Sequence, residues 1–260
     1  MLLILISAFA ITSIYDTAIA MEAEADPFVQ HLDLQLDNSF FPSNTPFRAF
    51  RGIYNDCCLT VITNGKDDVH GTVGVDNVGT VPASVACFLA LQKLKDIDEE
   101  AHLLINAGTC GGFKSKGASI GDVYLTTASA NHDRRIDIPE YTTYGIGRLE
   151  HTPVTNLADE IGAKLGICTT GNSLEFHELD MVQMEENDAS VKDMEQAAIA
   201  WAAKVYNTPH FGIKVVTDIP DGDKPAQEEF FENLGKAAAS LQAALPKVID
   251  YVCNKRYDEL

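Results

Sequence analysis

Short apolar runs rich in β-branched residues alternate along the chain with longer segments whose apolar residues recur at helical spacing. The runs predict six strands, at Ile14–Ala20, Leu59–Thr63, Leu103–Ala107, Gly121–Thr126, Leu165–Thr170 and Phe211–Val216. The longer segments predict four helices, at Pro82–Lys95, Thr155–Lys164, Met194–Val205 and Glu228–Cys253. Strands that alternate with helices predict an α/β fold, in which a mostly parallel sheet is covered by helices on both faces.

The chain has no internal repeat, no low-complexity segment and no linker that would divide it. Its 260 residues suit one large domain. We therefore expect a single domain over residues 13–260, preceded by an apolar leader of uncertain role at residues 1–12.

The apolar amino terminus allows two interpretations. Ala18, Ile19 and Ala20 have the small-x-small form of a signal-peptidase site, so a secretory route is one alternative. The leader carries no basic residue after Met1, however, and cleavage after Ala20 would remove the first predicted strand. The expected location is the cytoplasm, with the secretory route kept as the alternative.

The formal net charge of −19 argues against a nucleic-acid or anionic-membrane partner, since either would require a basic surface. After the leader, no uninterrupted apolar run is long enough to span a bilayer. The six cysteines form no C-x-x-C pair and have no histidine at zinc-ligand spacing. Small buried thiols, and a reducing compartment, fit that pattern better than disulfides do.

Three of the predicted strands end in sequences suited to a site. These are A-M-E-A-E-A after the first strand, N-A-G-T-C-G-G after the third and V-T-D-I-P-D-G-D after the sixth. Ligands of such sheets gather at the carboxyl ends of the strands. These three segments are therefore candidates for a ligand site.

The stretch 105-INAGTCGGF-113 predicts a glycine-rich turn between a strand and a helix. Its glycines would let the backbone approach a ligand closely, and Thr109 adds a hydroxyl group. The stretch lacks the lysine of a P-loop and the spacing of the dinucleotide fingerprint. Taken alone, it fits a ligand-free tight turn equally well.

Asp218 directly follows the sixth apolar run, which would leave its carboxyl group partly desolvated at the sheet edge. Partial burial raises the pKa of a carboxyl group, as a general acid at neutral pH requires. Asp221 and Asp223 fit turn or cap positions. Lys214 either pairs with a carboxylate or extends to the surface.

Glu195 lies in 192-KDMEQAAIA-200, where a loop becomes a helix of small residues. It could cap that helix, or it could reach into a pocket and accept hydrogen bonds from two neighbouring sugar hydroxyls. Taken alone, the position favours capping.

Several long blocks, in order, resemble the purine nucleoside phosphorylase and nucleosidase superfamily, and within it the plant-type 5'-methylthioadenosine nucleosidases. The blocks are 77-NVGTVPAS-84, 104-LINAGTCGGFKSKGASIGDVYL-125, 132-HDRRI-136, 170-TGNSL-174, 187-NDASVKDMEQAAIA-200 and 216-VTDIPDGDKPAQEEF-230. The resemblance extends from about Ser13 onward. It implies a three-layer α/β/α sandwich around a mixed, mostly parallel twisted sheet.

The resemblance implies hydrolysis of the N-glycosidic bond of methylthioadenosine to adenine and methylthioribose, a step of methionine salvage. Asp218 matches the acid that protonates N7 of the departing adenine or donates a hydrogen bond to it, and Glu24 matches the base that orients and activates the attacking water. Adenine is a poor leaving group until its ring nitrogen accepts a proton, so a carboxylic acid suits that position. No metal or organic cofactor is implied.

The resemblance also implies a substrate-binding set. Glu195 would bind the ribose hydroxyls, and Met194 would pack under the sugar. Thr109 and Lys214 match positions near the water and its glutamate. Leu174 lies where bacterial relatives place an aromatic residue over adenine, and weak action on S-adenosylhomocysteine is compatible with the same pocket.

The fold also hosts phosphorylases, so a purine nucleoside phosphorylase is an alternative. Phosphorylases place an arginine where this chain has Asn106, and Glu22 and Glu24 would repel a phosphate dianion. Hydrolysis is therefore the prediction.

Two further expectations follow from the family. Its members are homodimers, and the aromatic-bearing loop 136-IDIPEYTTYGIG-147 is a candidate contributor to the neighbouring subunit's pocket. A non-catalytic secreted storage protein of the same fold is a further alternative. The presence of Glu24, Glu195 and Asp218 together favours the enzyme.

Overall fold

A twelve-stranded mixed sheet organises the protein in a computed structural model that describes residues 2–5, 8–9, 12–19, 22–70, 74–253, 255 and 260, with side chains from residue 25 onward. Its strands are β1 (Leu2–Leu5), β2 (Ala8–Phe9), β3 (Thr12–Ile19), β4 (Gln35–Leu36), β5 (Arg48–Tyr54), β6 (Cys57–Thr63), β7 (Leu104–Gly112), β8 (Val123–Asn131), β9 (Leu149–Glu150), β10 (Lys164–Thr170), β11 (Val191–Asp193) and β12 (His210–Asp218). The order across the sheet is β11-β10-β8-β12-β7-β1-β3-β6-β5-β4, with β2 paired to β3 and β9 paired to β8.

Most of the long strands pair in parallel, but β12 and β8 pair antiparallel within the centre of the sheet. Parallel pairs join β3 to β6 and β7, β7 to β12, and β8 to β10. Strand β7 is buried along its length and β12 is buried throughout, as expected for strands covered on both faces. The predicted mixed, mostly parallel α/β fold is thereby confirmed.

Helices cover both faces of this sheet. They are α1 (Glu22–His31), α2 (Thr80–Asp96), α3 (Pro139–Ile146), α4 (Thr155–Ile161), α5 (Glu178–Glu186), α6 (Gln196–Tyr206) and α7 (Ala226–Val252). Helices α2 and α6 pack against each other, while α1 and α4 both pack on α7. None of the helices in the described part of the chain combines the length and the apolar character needed to cross a membrane.

Four predicted helices are present, with shifts at their ends that have local causes. The predicted Thr155–Lys164 helix ends early because Gly162 adopts the left-handed conformation, at φ 70°, and Lys164 begins strand β10. Asn207 ends α6 in the same way, at φ 55°. Met194 and Glu195 precede α6 rather than opening it.

Two segments predicted as irregular are regular. The strand predicted to end at Ala107 continues through residues 108–112, the part predicted as a glycine-rich turn, because β11 and β12 pair with it. The predicted loop at residues 136–147 contains helix α3, which begins at Pro139 and ends at the left-handed Gly147. The first strand was predicted to end at Ala20, a residue outside those described, and the division at residue 12 stays a prediction.

Candidate active site

A cavity of about 430 Å³ opens at the carboxyl ends of β7, β11 and β12. Such strand ends are where ligands bind in open α/β sheets. Six of the seven predicted site residues line this cavity: Thr109, Leu174, Met194, Glu195, Lys214 and Asp218. Residues that are distant in sequence are thus brought to one place by the sheet.

The seventh predicted residue, Glu24, lies in the first turn of α1, directly after strand β3. Its side chain lies outside the described part of the structure. Helix α1 was not among the predicted helices, and the role of Glu24 stays a prediction.

Asp218 is the last residue of β12 and is 1% exposed. The hydroxyl of Thr217 donates to its Oδ1 at 2.7 Å, while Oδ2 has no hydrogen-bond partner among the described residues. Burial raises the pKa of Asp218, although the Thr217 hydroxyl and the Lys192 ammonium oppose that shift. The arrangement leaves one carboxyl oxygen of a weakened acid available to a ligand.

Gly111 makes room for that carboxyl group. A Cβ atom at this position would lie 2.8 Å from Oδ2 of Asp218 and 3.1 Å from Cγ of Lys192. Both side chains therefore stand on the same side of β7, across the space that a side chain at residue 111 would fill. This close approach is the structural use of the glycine predicted to face a ligand.

Lys214 pairs with Asp193, which decides between the two roles predicted for the lysine. The Nζ and Oδ2 atoms are 2.7 Å apart, and both side chains are 1% exposed. Burial alone would raise the pKa of Asp193 and lower the pKa of Lys214. The opposite charge of the partner has the larger effect on each residue, so the pKa of Asp193 is lowered and the pKa of Lys214 is raised. Asp193 therefore stays anionic.

Asp193 also fixes the segment that carries Glu195. Its Oδ1 accepts a hydrogen bond from the Thr170 hydroxyl at 2.6 Å, and its Oδ2 accepts one from the Gln196 amide at 2.9 Å. One carboxylate thereby joins β10, β11, β12 and the start of α6.

Glu195 occupies the cap position of α6, but its side chain makes no capping hydrogen bond. The interpretation favoured by the position alone is therefore wrong. Its Oε1 instead accepts a hydrogen bond from the Gly79 amide at 2.8 Å, and the residue lines the cavity at 7% exposure. Burial and the nearby Asp193 raise the pKa of Glu195, while Lys214 opposes the shift.

Several lining residues were not predicted. Lys192 and Asp193 lie within the quoted K-D-M-E block, where adjacent charges on a buried strand could have indicated them. Phe230 and Phe231 come from the first turns of α7, and their sequence carries no such indication. Within the described residues, no group of three histidine, cysteine, aspartate or glutamate side chains could hold a metal ion.

An apolar cavity with buried carboxyl groups at the strand ends of such a sheet fits the class of nucleoside phosphorylases and nucleosidases, and the similarity of the chain to known proteins assigns it to that class. The model of the phosphorylase superfamily matches residues 18–250. The chain belongs to this superfamily and, within it, to the family of the plant methylthioadenosine nucleosidases.

Its similarity to individual members extends over nearly the whole chain. It is 42% identical over 243 residues to the 5'-methylthioadenosine/S-adenosylhomocysteine nucleosidase of Arabidopsis thaliana, covering 93% of this chain and 92% of that protein. A 5'-methylthioadenosine nucleosidase from the same organism is 41% identical over 243 residues, covering 93% and 88%. The structure of an Arabidopsis thaliana 5'-methylthioadenosine nucleosidase in apo form superposes with a TM-score of 0.87 at 40% identity, covering 94% and 97%. The family predicted from the sequence blocks is confirmed.

Proposed function

We propose that this protein hydrolyses the N-glycosidic bond of 5'-methylthioadenosine, releasing adenine and 5-methylthioribose. The observation that carries the proposal is the buried Asp218 carboxyl group, whose Oδ2 has no hydrogen-bond partner among the described residues, in a cavity shared with Glu195 and Met194. Relatives of 41–42% identity that bear nucleosidase names support the same activity.

Asp218 acts as the general acid. Burial raises its pKa, which favours the protonated carboxyl group, and Oδ2 delivers that proton to N7 of the departing adenine. The electron pair of the glycosidic bond then remains on a neutral base rather than on an adenine anion.

The ribose gains positive charge as the bond breaks. Glu195 accepts hydrogen bonds from the ribose hydroxyls and stabilises that charge, while Met194 packs under the sugar and Leu174 packs on the base. Glu24 takes the proton of the attacking water, and Thr109 and Lys214 support the water site. These roles are the ones that the family resemblance implies for this chain.

The charges of the cavity favour water over phosphate as the nucleophile. Lys214 is neutralised by Asp193, and Lys192 lies beside Asp218 over Gly111. Carboxylates outnumber lysines around the cavity, so a phosphate dianion would be repelled.

A phosphate-dependence assay tests the reaction. Purified full-length protein is expected to release adenine from methylthioadenosine at the same rate with and without phosphate, and to yield free methylthioribose. S-Adenosylhomocysteine should be cleaved more slowly, and inosine serves as the comparison purine nucleoside. A strict requirement for phosphate, with methylthioribose 1-phosphate as product, would identify a phosphorylase instead.

We also propose that the protein acts as a homodimer through the α2–α6 face, which we define as Val81, Val85, Phe88, Trp201 and Val205. All five side chains are exposed, and Trp201 is 57% exposed. Exposed apolar patches of this kind mark interaction surfaces, and a second copy can cover such a face symmetrically. The face adjoins the cavity, because Gly79 precedes α2 and binds Glu195.

Substitutions on this face should separate the subunits. Trp201→Glu and Val85→Glu each place a charge in the proposed contact and are expected to weaken association by about 2 kcal/mol or more. Light scattering should give twice the chain mass for the native protein and the single-chain mass for these variants. Ile53→Glu is the matched control, since Ile53 is 69% exposed on β5 and should leave the dimer intact. A native protein of single-chain mass at micromolar concentration would contradict the proposal.

A further inference from the structure

Lys192 is a buried lysine in the cavity wall that the proposed reaction has not yet used. It lies at the centre of β11, is 4% exposed, and pairs with Gly111 of β7 in the antiparallel register. Burying an ammonium group is costly unless its charge and its hydrogen-bond donors are satisfied. Its position therefore calls for an explanation in terms of its neighbours.

One neighbour is the main chain beside Leu174. The Nζ atom of Lys192 donates a hydrogen bond to the carbonyl oxygen of Leu174, which lies in the segment between β10 and α5. Among the described residues, no carboxylate comes within ion-pair distance of Nζ. Lys192 thus binds the backbone of Leu174, whose side chain lines the cavity. No direct ion pair with a described residue neutralises the charge of Lys192.

The other neighbour is Asp218. Lys192 and Asp218 both pair with Gly111, from β11 on one side and from β12 on the other. Their side chains come together over this glycine, where a Cβ atom would lie within 2.8 Å of Oδ2 of Asp218 and 3.1 Å of Cγ of Lys192. The stem of the lysine and the unpartnered oxygen of the acid therefore share one space.

We propose that Lys192 is a positioning residue for glycosidic cleavage, which holds the Leu174 main chain beside the purine and stabilises the Asp218 carboxylate that proton transfer leaves behind. This inference rests on the proposed function, because it gives Lys192 its role through the acid of that reaction. It also explains why a lysine occupies a fully buried strand position at the cavity.

The proton balance shows where the charge is needed. The O–H bond of Asp218 breaks as the N7–H bond of adenine forms, and Asp218 becomes a carboxylate. A cation near that carboxylate, even beyond direct ion-pair distance, lowers the free energy of the product state and of the transition state that resembles it. In agreement, the Lys192 ammonium lowers the pKa of Asp218 against the effect of burial.

The other titratable groups around Asp218 do not provide this charge. Cys110 on β7 is a buried thiol whose pKa is raised well above its usual value, so it stays neutral. Glu175 and Glu229 are acidic and raise the pKa of Asp218. Glu175 accepts a hydrogen bond from the backbone amide of Gln227, and Glu229 accepts one from the backbone amide of Ile219. Lys214, the other lysine that lines the cavity, is paired with Asp193. Lys192 is the cation that acts on the Asp218 carboxyl group.

The pH profile of kcat/KM for adenine release tests the inference. Lys192→Met and Lys192→Gln remove the charge, so the alkaline limb of the profile, which reports Asp218, should move to higher pH by about one unit. Their kcat at neutral pH should fall about tenfold. Lys192→Arg keeps the charge and should restore the native limb. The use of two neutral variants allows the test to proceed if one of them does not fold, as judged by circular dichroism.

Lys247→Met is the control for loss of one positive charge. Lys247 is exposed on α7, 16 residues beyond Phe231, which places it about 24 Å further along that helix. Its profile should coincide with the native one. A folded neutral variant at residue 192 with an unshifted alkaline limb would overturn the inference. Native protein that released no adenine from methylthioadenosine would contradict the proposed function instead, so the two failures are distinguishable.

Discussion

Replacing Asp218 with asparagine is expected to lower the rate of adenine release by about 10²–10⁴-fold. Asparagine keeps the size of the side chain and can still lie over Gly111, but it has no carboxyl proton to transfer to N7. The departing adenine would then leave as an anion. Because the loss lies in bond cleavage, kcat should fall while KM changes little, and single-turnover measurement of adenine release would show this directly.

The stability of this variant separates a catalytic loss from a folding loss. A carboxyl group whose pKa is raised on folding binds protons more tightly in the native state, so its contribution to stability diminishes as pH rises through its native pKa. At neutral pH, the free energy of unfolding of Asp218→Asn should therefore be at least as large as that of the native protein. Asp223→Asn makes the same substitution at an exposed site five residues on and should keep full activity. Full activity in Asp218→Asn would show that another group is the acid.

The sequence predicted the fold well because the strands that build the centre of the sheet are also its most apolar segments. Residues 211–216 form such a run, and β12 extends from His210 to Asp218 around it. The end of that run correctly placed Asp218 at the strand terminus. Strand β5 was missed, since its two arginines and its glycine interrupt the apolar pattern, and it forms by pairing with β6.

The glycine-rich segment shows where local preference fails. Glycine disfavours strands, so 108-GTCGG-112 predicts a turn after the strand that ends at Ala107. In the fold it is a strand, because β11 and β12 form hydrogen bonds with its backbone. Side chains of these strands occupy the space that a Cβ atom at Gly111 or Gly112 would take. That space is filled by side chains far away in sequence. Local propensity cannot predict contacts with residues that are distant in sequence.

The partners of the charged residues were the least predictable part of the site. Glu195 has a suitable position for capping its own helix, yet it binds the Gly79 amide, 116 residues away in sequence. Lys214 was predicted either to pair or to reach the surface, and the choice depended on Asp193 arriving from another strand. The ends of the predicted strands indicate which residues lie near the site. Their hydrogen-bond and ion-pair partners depend on distances that are known only from the folded structure.

Removing one partner of the Asp193–Lys214 pair should destabilise the protein strongly. Lys214→Met leaves a buried carboxylate without its cation, and Asp193→Asn leaves a buried ammonium without its anion. Each is expected to lower the free energy of unfolding by about 3–5 kcal/mol, as measured by urea denaturation. The double variant removes both charges together, so it should cost clearly less than the sum of the two single changes.

The exposed pair Lys164–Asp122 provides the matched control. It joins the same two residue types at the same 2.7 Å, but its lysine side chain is 46% exposed. Lys164→Met should therefore cost no more than about 1 kcal/mol. Activity gives a second measurement, because Asp193 binds the Gln196 amide and so fixes the segment that carries Glu195. Asp193→Asn that remains folded should accordingly raise KM for methylthioadenosine. Equal, small losses of stability at the buried and the exposed lysine would mean that the buried pair is solvated in solution, and that Lys214 does not depend on Asp193 for its place in the cavity.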